Sequence, residues 1–156
     1  MRQIVATFIG WSVLASPLPT LAEQLRFAAD DWLTECASVL PAVDCSLTAV
    51  FRGLDSRGAT GSFAMVIGLE NLLAAIVGQP FPAKATLRVD KFPPIDCVGR
   101  RHCLFANDDS AKLIGELAVG NLLLVDVYAG THDFRASLSI KGYQAGIAKI
   151  RAVSQQ

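Results

Sequence analysis

Four cysteines, two histidines and an Arg-Arg-His run are the residues in this chain with chemistry to offer. Cys36 and Cys45 are separated by eight residues, Cys97 and Cys103 by five. Neither pair has the C-x-x-C spacing of a zinc ribbon or a thioredoxin-like redox motif, and no C-x-x-C-H offers haem attachment. Cys97, His102 and Cys103 suggest a thiolate–imidazole metal site, but His102 and Cys103 are adjacent and point to opposite sides of a strand. No metal site and no cofactor are therefore expected. Four cysteines permit three connectivities. The two local ones, Cys36–Cys45 and Cys97–Cys103, are the expectation, each clipping a short loop and contributing about 2–3 kcal/mol by the chain-entropy relation.

A hydrolase needs a nucleophile or activated water with a base in reach. His132-Asp133 falls in an expected turn, with Ser137 and Ser139 on the outer face of the strand after it, so a triad built on His132 is conceivable. No G-x-S-x-G elbow accompanies it. Gly58-Ala59-Thr60-Gly61-Ser62 lacks the Gly-Lys-Ser/Thr ending of a phosphate-cradling loop and reads as a turn before a strand. No catalytic residue is assigned. Arg100, Arg101 and His102 form the candidate partner-contact surface. A clip of five residues holds them outward with little entropy left to lose on docking, and two guanidiniums suit carboxylates or phosphates.

The cysteines acquire their meaning from what precedes them. Met1-Arg2 is a short positive start, residues 4–15 are mostly apolar, and Ser16-Pro17-Leu18-Pro19 breaks any helix. At about 1.5 Å per residue that apolar run is too short for a hydrocarbon core of about 30 Å. Thr20-Leu21-Ala22 carries small residues where a signal peptidase cuts. Residues 1–22 are thus predicted to be a signal peptide cleaved after Ala22, which places the mature chain in a compartment where thiols oxidise. Residues 23–156 then form a single disulfide-stabilised, β-rich domain. Lys+Arg and Asp+Glu number 14 each, which leaves no broad field for nucleic acid. The other apolar stretch, residues 63–77, is interrupted by Glu70-Asn71, so no transmembrane segment is expected after cleavage.

Alternation places most of the strands. Leu47, Ala49 and Phe51 share one face of a segment over residues 45–52; Leu87 and Val89 point inward over 85–92; Phe134, Ala136, Leu138 and Ile140 do so in the segment after Asp133. Residues 122–129 read as a strongly apolar strand, and 32–36 as the first strand. Residues 63–77 fit either a helix or a hairpin turning at Glu70-Asn71; the surrounding strands, with Gly68 and Gly78, favour the hairpin. Residues 23–31 read as a polar lead-in with helical character, 41–44 as the loop closed by the first cystine, and 53–61 as an exposed turn. Asp108 or Asp109 is expected to cap a helix ending at Gly120-Asn121. Tyr143, Ile147 and Ile150 predict a C-terminal helix. The fold class is mainly β: an antiparallel β-sandwich or flattened barrel, with one short helix before the penultimate strand and one at the C-terminus.

The order of these features resembles the invasion-associated locus B family of bacterial envelope proteins. The matching positions are Trp32, Cys36 and Cys45, then Asp96-Cys97 and His102-Cys103-Leu104-Phe105, the helix over residues 110–120, and a closing segment with Gly142-Tyr143-Gln144-Ala145-Gly146. The likeness is densest over residues 94–150. Residues 53–90 are shorter than the family pattern, and Gly78-Gln79-Pro80 stands where Pro-Leu-Gly is usual. The resemblance implies a periplasmic, envelope-associated or secreted protein of a Gram-negative bacterium. Its relatives are linked to host-cell invasion or envelope fitness, and no site carries over beyond the cysteines. The expected function is that of an exported, non-catalytic envelope domain binding an envelope or host protein or another envelope component. The alternatives are a small periplasmic hydrolase using His132 and a carrier of small apolar ligands around residues 63–77.

Overall fold

Cys45, Leu47, Ala49, Phe51 and Gly53 are buried while every residue between them is wholly or partly exposed. They lie on β3 (Ala42–Leu54), whose thirteen residues let it pair with three strands. In the computed structural model, which describes residues 25–39 and 42–154, β3 pairs with β2 (Trp32–Val39) through its first half. Residues 46–54 pair on the other side with β4 (Thr60–Gly68), and Leu54 meets Arg135 of β10 (His132–Ser139). The β3–β4 pairing closes a ring through β5 (Leu73–Gln79), β8 (His102–Leu104), β7 (Ile95–Gly99), β6 (Lys84–Val89), β9 (Leu122–Ala129) and β10. Of the two expected architectures it is the barrel that forms, eight antiparallel strands with no open edge in the ring. β1 (Leu25–Ala29) and β2 extend from β3 as a hairpin.

The interior is filled by side chains. Phe63, Met65 and Ile67 of β4, Ile76 of β5, Leu87 and Val89 of β6, and Val125 and Val127 of β9 are all essentially inaccessible. Residues 63–77 thus form the expected hairpin, turning at residues 69–72. α1 (Asn107–Val119) closes one end of the barrel with Leu113 and Leu117. α2 (Lys141–Ser154) lies over β1 and β2. It approaches closely because Gly142 and Gly146 carry no Cβ: one at Gly142 would overlap the Ala29 carbonyl oxygen, and one at Gly146 the Thr34 hydroxyl. Two helical glycines cost about 1 kcal/mol each in propensity, which the close packing offsets. Gln144 of α2 joins the helices. Its amide donates to the Gly120 carbonyl at 2.9 Å and reaches those of Ala118 and Leu117 at 3.3 and 3.4 Å, satisfying carbonyls that the end of α1 leaves unpaired.

Several sequence expectations change. The polar lead-in is a strand, not a helix: residues 25–29 pair with 32–36, and Arg26 meets Glu35 at 3.3 Å. The first cystine staples neighbouring strands; Cys36 and Cys45 are cross-strand partners with Cα atoms 4.1 Å apart, and β3 already begins at Ala42. Asp108 and Asp109 do not cap α1. Ala106 occupies the N-cap without a side-chain bond, and the two carboxylates sit in the first turn, where they suit the positive end of the helix dipole. The strand over residues 85–92 stops at Val89, and residues 90–92 turn. The expected leader, its cleavage site after Ala22, and Pro41 lie outside the described residues. Among the described residues no helix is long and apolar enough to cross a membrane.

Candidate functional site

The second cystine sits at the base of a tight hairpin. β7 and β8 pair through Val98↔Leu104 and Gly99↔Cys103, Cys97 and Cys103 are bonded with Cα atoms 5.4 Å apart, and both are buried. Arg100 and Arg101 form the turn, and His102 opens β8; all three are exposed. His102 faces out and Cys103 in, as strand alternation requires. Among the described residues none of the three side chains has a hydrogen bond or ion pair, whereas Lys84 beside them is bound to Asp96 at 3.2 Å. Two guanidiniums and an imidazole are thus presented on a covalently clipped tip. Among the described residues no group of three His, Cys, Asp or Glu side chains is placed to hold a metal ion.

His132 is placed differently from its sequence reading. It is the first residue of β10, not part of the turn, and its Nδ1 lies 2.7 Å from Oδ2 of Asp55. Asp55 follows β3 in the stretch read as an exposed turn, yet its side chain is only 2% exposed. Its Oδ1 accepts the backbone N–H groups of Arg57 and Ala59, both at 2.8 Å. Arg57 in turn donates to the Thr131 carbonyl at 2.8 Å, so the β3–β4 and β9–β10 turns are tied together twice. An Asp followed by Ser-Arg-Gly is a sequence signal for such a turn. Its partner 77 residues away carries none. Asp133, Ser137 and Ser139 lie on the opposite face of β10 from His132, because odd separations reverse direction along a strand. The conceivable triad is therefore not assembled; a buried carboxylate orients the imidazole, and among the described residues no hydroxyl is bonded to it.

The hydrogen bond from His132, with help from the two backbone donors, holds the Asp55 carboxyl below its ordinary 3.8, against the opposing effect of burial. A carboxylate with a depressed folded pKa stabilises the fold above its unfolded value and loses that contribution as pH falls through the folded one. Asp55→Asn is therefore expected to lower stability at neutral pH and to flatten the pH dependence below about pH 4, measured as urea midpoints across the acid range. A variant whose profile parallels wild type there contradicts the assignment. Glu116 behaves in the opposite sense. Burial raises its pKa, one carboxylate oxygen has no hydrogen-bond partner, and Lys112 stands 4.0 Å from the other.

The filled interior and one cleft bear on the carrier alternative. A carrier needs open space inside the barrel, and around residues 63–77 that space is occupied by Phe63, Met65, Ile67 and Ile76. A cleft of about 750 Å³ does open between α1 and α2, lined by Leu69, Ile114, Ala118, Tyr143 and Ile147 among others.

No protein-family model matches this chain, and no curated protein sequence matches it. Its fold is similar to that of a solved structure. The crystal structure of invasion associated protein B from Bartonella henselae superposes with a TM-score of 0.53 at 11% identity, covering 84% of this chain and 97% of that one. The likeness is one of fold. It extends over most of the length of both chains.

Proposed function

We propose that this chain is an exported, non-catalytic cell-envelope domain that works by binding another envelope or host component through the Arg100–Arg101–His102 tip. The observation that carries the reading is the tip itself: exposed, unpaired among the described residues, and fixed at its base by the Cys97–Cys103 bond. Two cystines in so small a domain support an oxidising compartment, in keeping with the expected signal peptide and a periplasmic or secreted location. The structural neighbour's name speaks of invasion, which supports a role at the bacterial surface.

The hydrolase alternative draws on the one feature shared with catalytic triads, an imidazole whose Nδ1 is held by a buried carboxylate. The two readings separate in one experiment. Crosslinking in intact cells followed by pull-down is expected to lose its partner species at least tenfold in Arg100→Ala/Arg101→Ala and to keep it in His132→Ala. A crosslinking pattern unchanged by the arginine pair removes a protein partner at the tip, and a phenotype abolished by His132→Ala in stably folded protein defeats the binding reading.

A further inference from the structure

The four turns at one end of the barrel share a neighbourhood that neither helix covers. The β3–β4 and β9–β10 turns are clamped by Asp55, Arg57 and His132. The other two are clamped by backbone. Because β5 and β6 are not neighbours in the ring, residues 80–83 must cross the tips of β7 and β8. Gly99 N–H donates to the Ala83 carbonyl at 2.9 Å, and Ala83 N–H donates to the Tyr128 carbonyl at 2.9 Å. Pro82 is buried beside Ala83, which leaves Phe81 on a pinned segment with half of its surface, 51%, in solvent. An exposed phenyl ring thus lies on the segment that is hydrogen-bonded to Gly99, the residue before the Arg100–Arg101 turn.

The cations continue round the barrel. Arg52, Ser62 and Gln79 are cross-strand partners on the outer face of β3, β4 and β5. With Thr60 they bound a dish of about 400 Å³ whose polar groups are a guanidinium, two hydroxyls and an amide, all able to donate to phosphate oxygens. Arg52 has no ion pair among the described residues, and neither the 80–83 segment nor the Arg100–Arg101 turn contains a carboxylate. Leu54 and Val98, 60% and 73% exposed, add apolar surface at the same end.

We infer that this end of the barrel docks on an anionic lipid surface, with Phe81 entering the headgroup–acyl boundary and Arg52, Arg100 and Arg101 meeting lipid phosphates. An aromatic side chain backed by unpaired arginines matches the two layers of such a surface, apolar beneath and negatively charged above. A protein partner fits less well, since the aromatic projects from a tip and not into a groove.

The inference rests on the reading of the Arg100–Arg101 tip as a contact surface and names what it touches. The processed protein recovered from cells is tested by flotation with vesicles of phosphatidylglycerol mixed into phosphatidylcholine, and with vesicles of phosphatidylcholine alone. Binding is expected to the anionic vesicles only and to weaken as salt rises. Arg100→Ala/Arg101→Ala is expected to lower the partition coefficient by about 20-fold, and Phe81→Ser by about 10-fold. Both sites are exposed, and unchanged melting temperatures confirm intact folding. Equal binding to neutral vesicles, no binding to anionic ones, or indifference to Phe81→Ser overturns the inference. If vesicles fail while a crosslinked protein still depends on Arg100 and Arg101, the lipid assignment falls and the contact surface stands. If neither readout responds to the arginines, both fall.

Discussion

Replacing Trp32 with alanine is expected to cost about 3–5 kcal/mol, a large share of the 5–15 kcal/mol that holds a domain of this kind together. Trp32 opens β2 and is 2% exposed. Its indole does three things at once. It packs edge-on against Tyr143 of α2 with ring centroids 5.3 Å apart; its Nε1–H donates to the Ser139 carbonyl at 2.8 Å; and it lies beside Gly142, where the helix meets the β1–β2 hairpin. The hairpin lies outside the closed ring, so this contact couples it and α2 to the end of β10. Truncation removes the ring contacts and takes the indole donor from the half-buried Ser139 carbonyl. The melting temperature is expected to fall by roughly 10–20 °C. Trp32→Phe keeps an aromatic ring but removes the donor, and is expected to cost about 1–2 kcal/mol less than alanine. A melting temperature within 2–3 °C of wild type for Trp32→Ala, by the same stability scaling, would show that α2 and the hairpin are held elsewhere.

Trp32 also shows what the amino-acid pattern conveys and where it stops. Its position before the first cysteine, and Tyr143 at helical spacing, were legible; that one ring sits on the other was not, since 110 residues separate them. Strands with one wet face announce themselves. Residues 45–52 and 134–140 alternate; β10 forms close to its expected bounds, and β3 contains its expected segment but starts three residues earlier and ends two later. β1 was missed because Leu-Arg-Phe-Ala-Ala has little alternation of its own and is a strand through its pairing with β2. Closure was half legible. Short, evenly spaced strands predict a sandwich or a barrel, but the choice depends on β3 being long enough to pair with β2, β4 and β10, a non-local property. The same limit applies at the site. The Arg-Arg-His tip follows from two nearby cysteines, while the Asp55–His132 bond joins turns whose sequences say nothing of each other, and Ala83 meets the cystine hairpin only because the ring order sends residues 80–83 across it.

That same end of the barrel supplies the second large effect. Phe63→Ala is expected to lose about 3–5 kcal/mol, as deep as the Trp32 truncation but through a different mechanism. Phe63 is 1% exposed and sits between Phe51 and Phe134, at centroid distances of 5.8 and 5.3 Å; Phe134 in turn stacks on the His132 ring at 5.7 Å. The row of rings is the floor under the Asp55–His132 clasp. Removing Phe63 leaves a void between Phe51 and Phe134. The penalty is therefore set by how far Phe51 and Phe134 collapse into it. Phe63→Leu, which keeps most of the volume, is expected to cost less than about 1.5 kcal/mol. If the floor also positions the loops, Phe63→Ala weakens the acid-range contribution of Asp55, since a His132 ring free to shift no longer holds its 2.7 Å contact. Urea midpoints measured at neutral and acid pH for both variants test the two claims separately. A large neutral-pH loss with an unchanged acid profile would place Phe63 in the core alone; a small loss at both would mean that the void collapses and that the rings do not support the clasp.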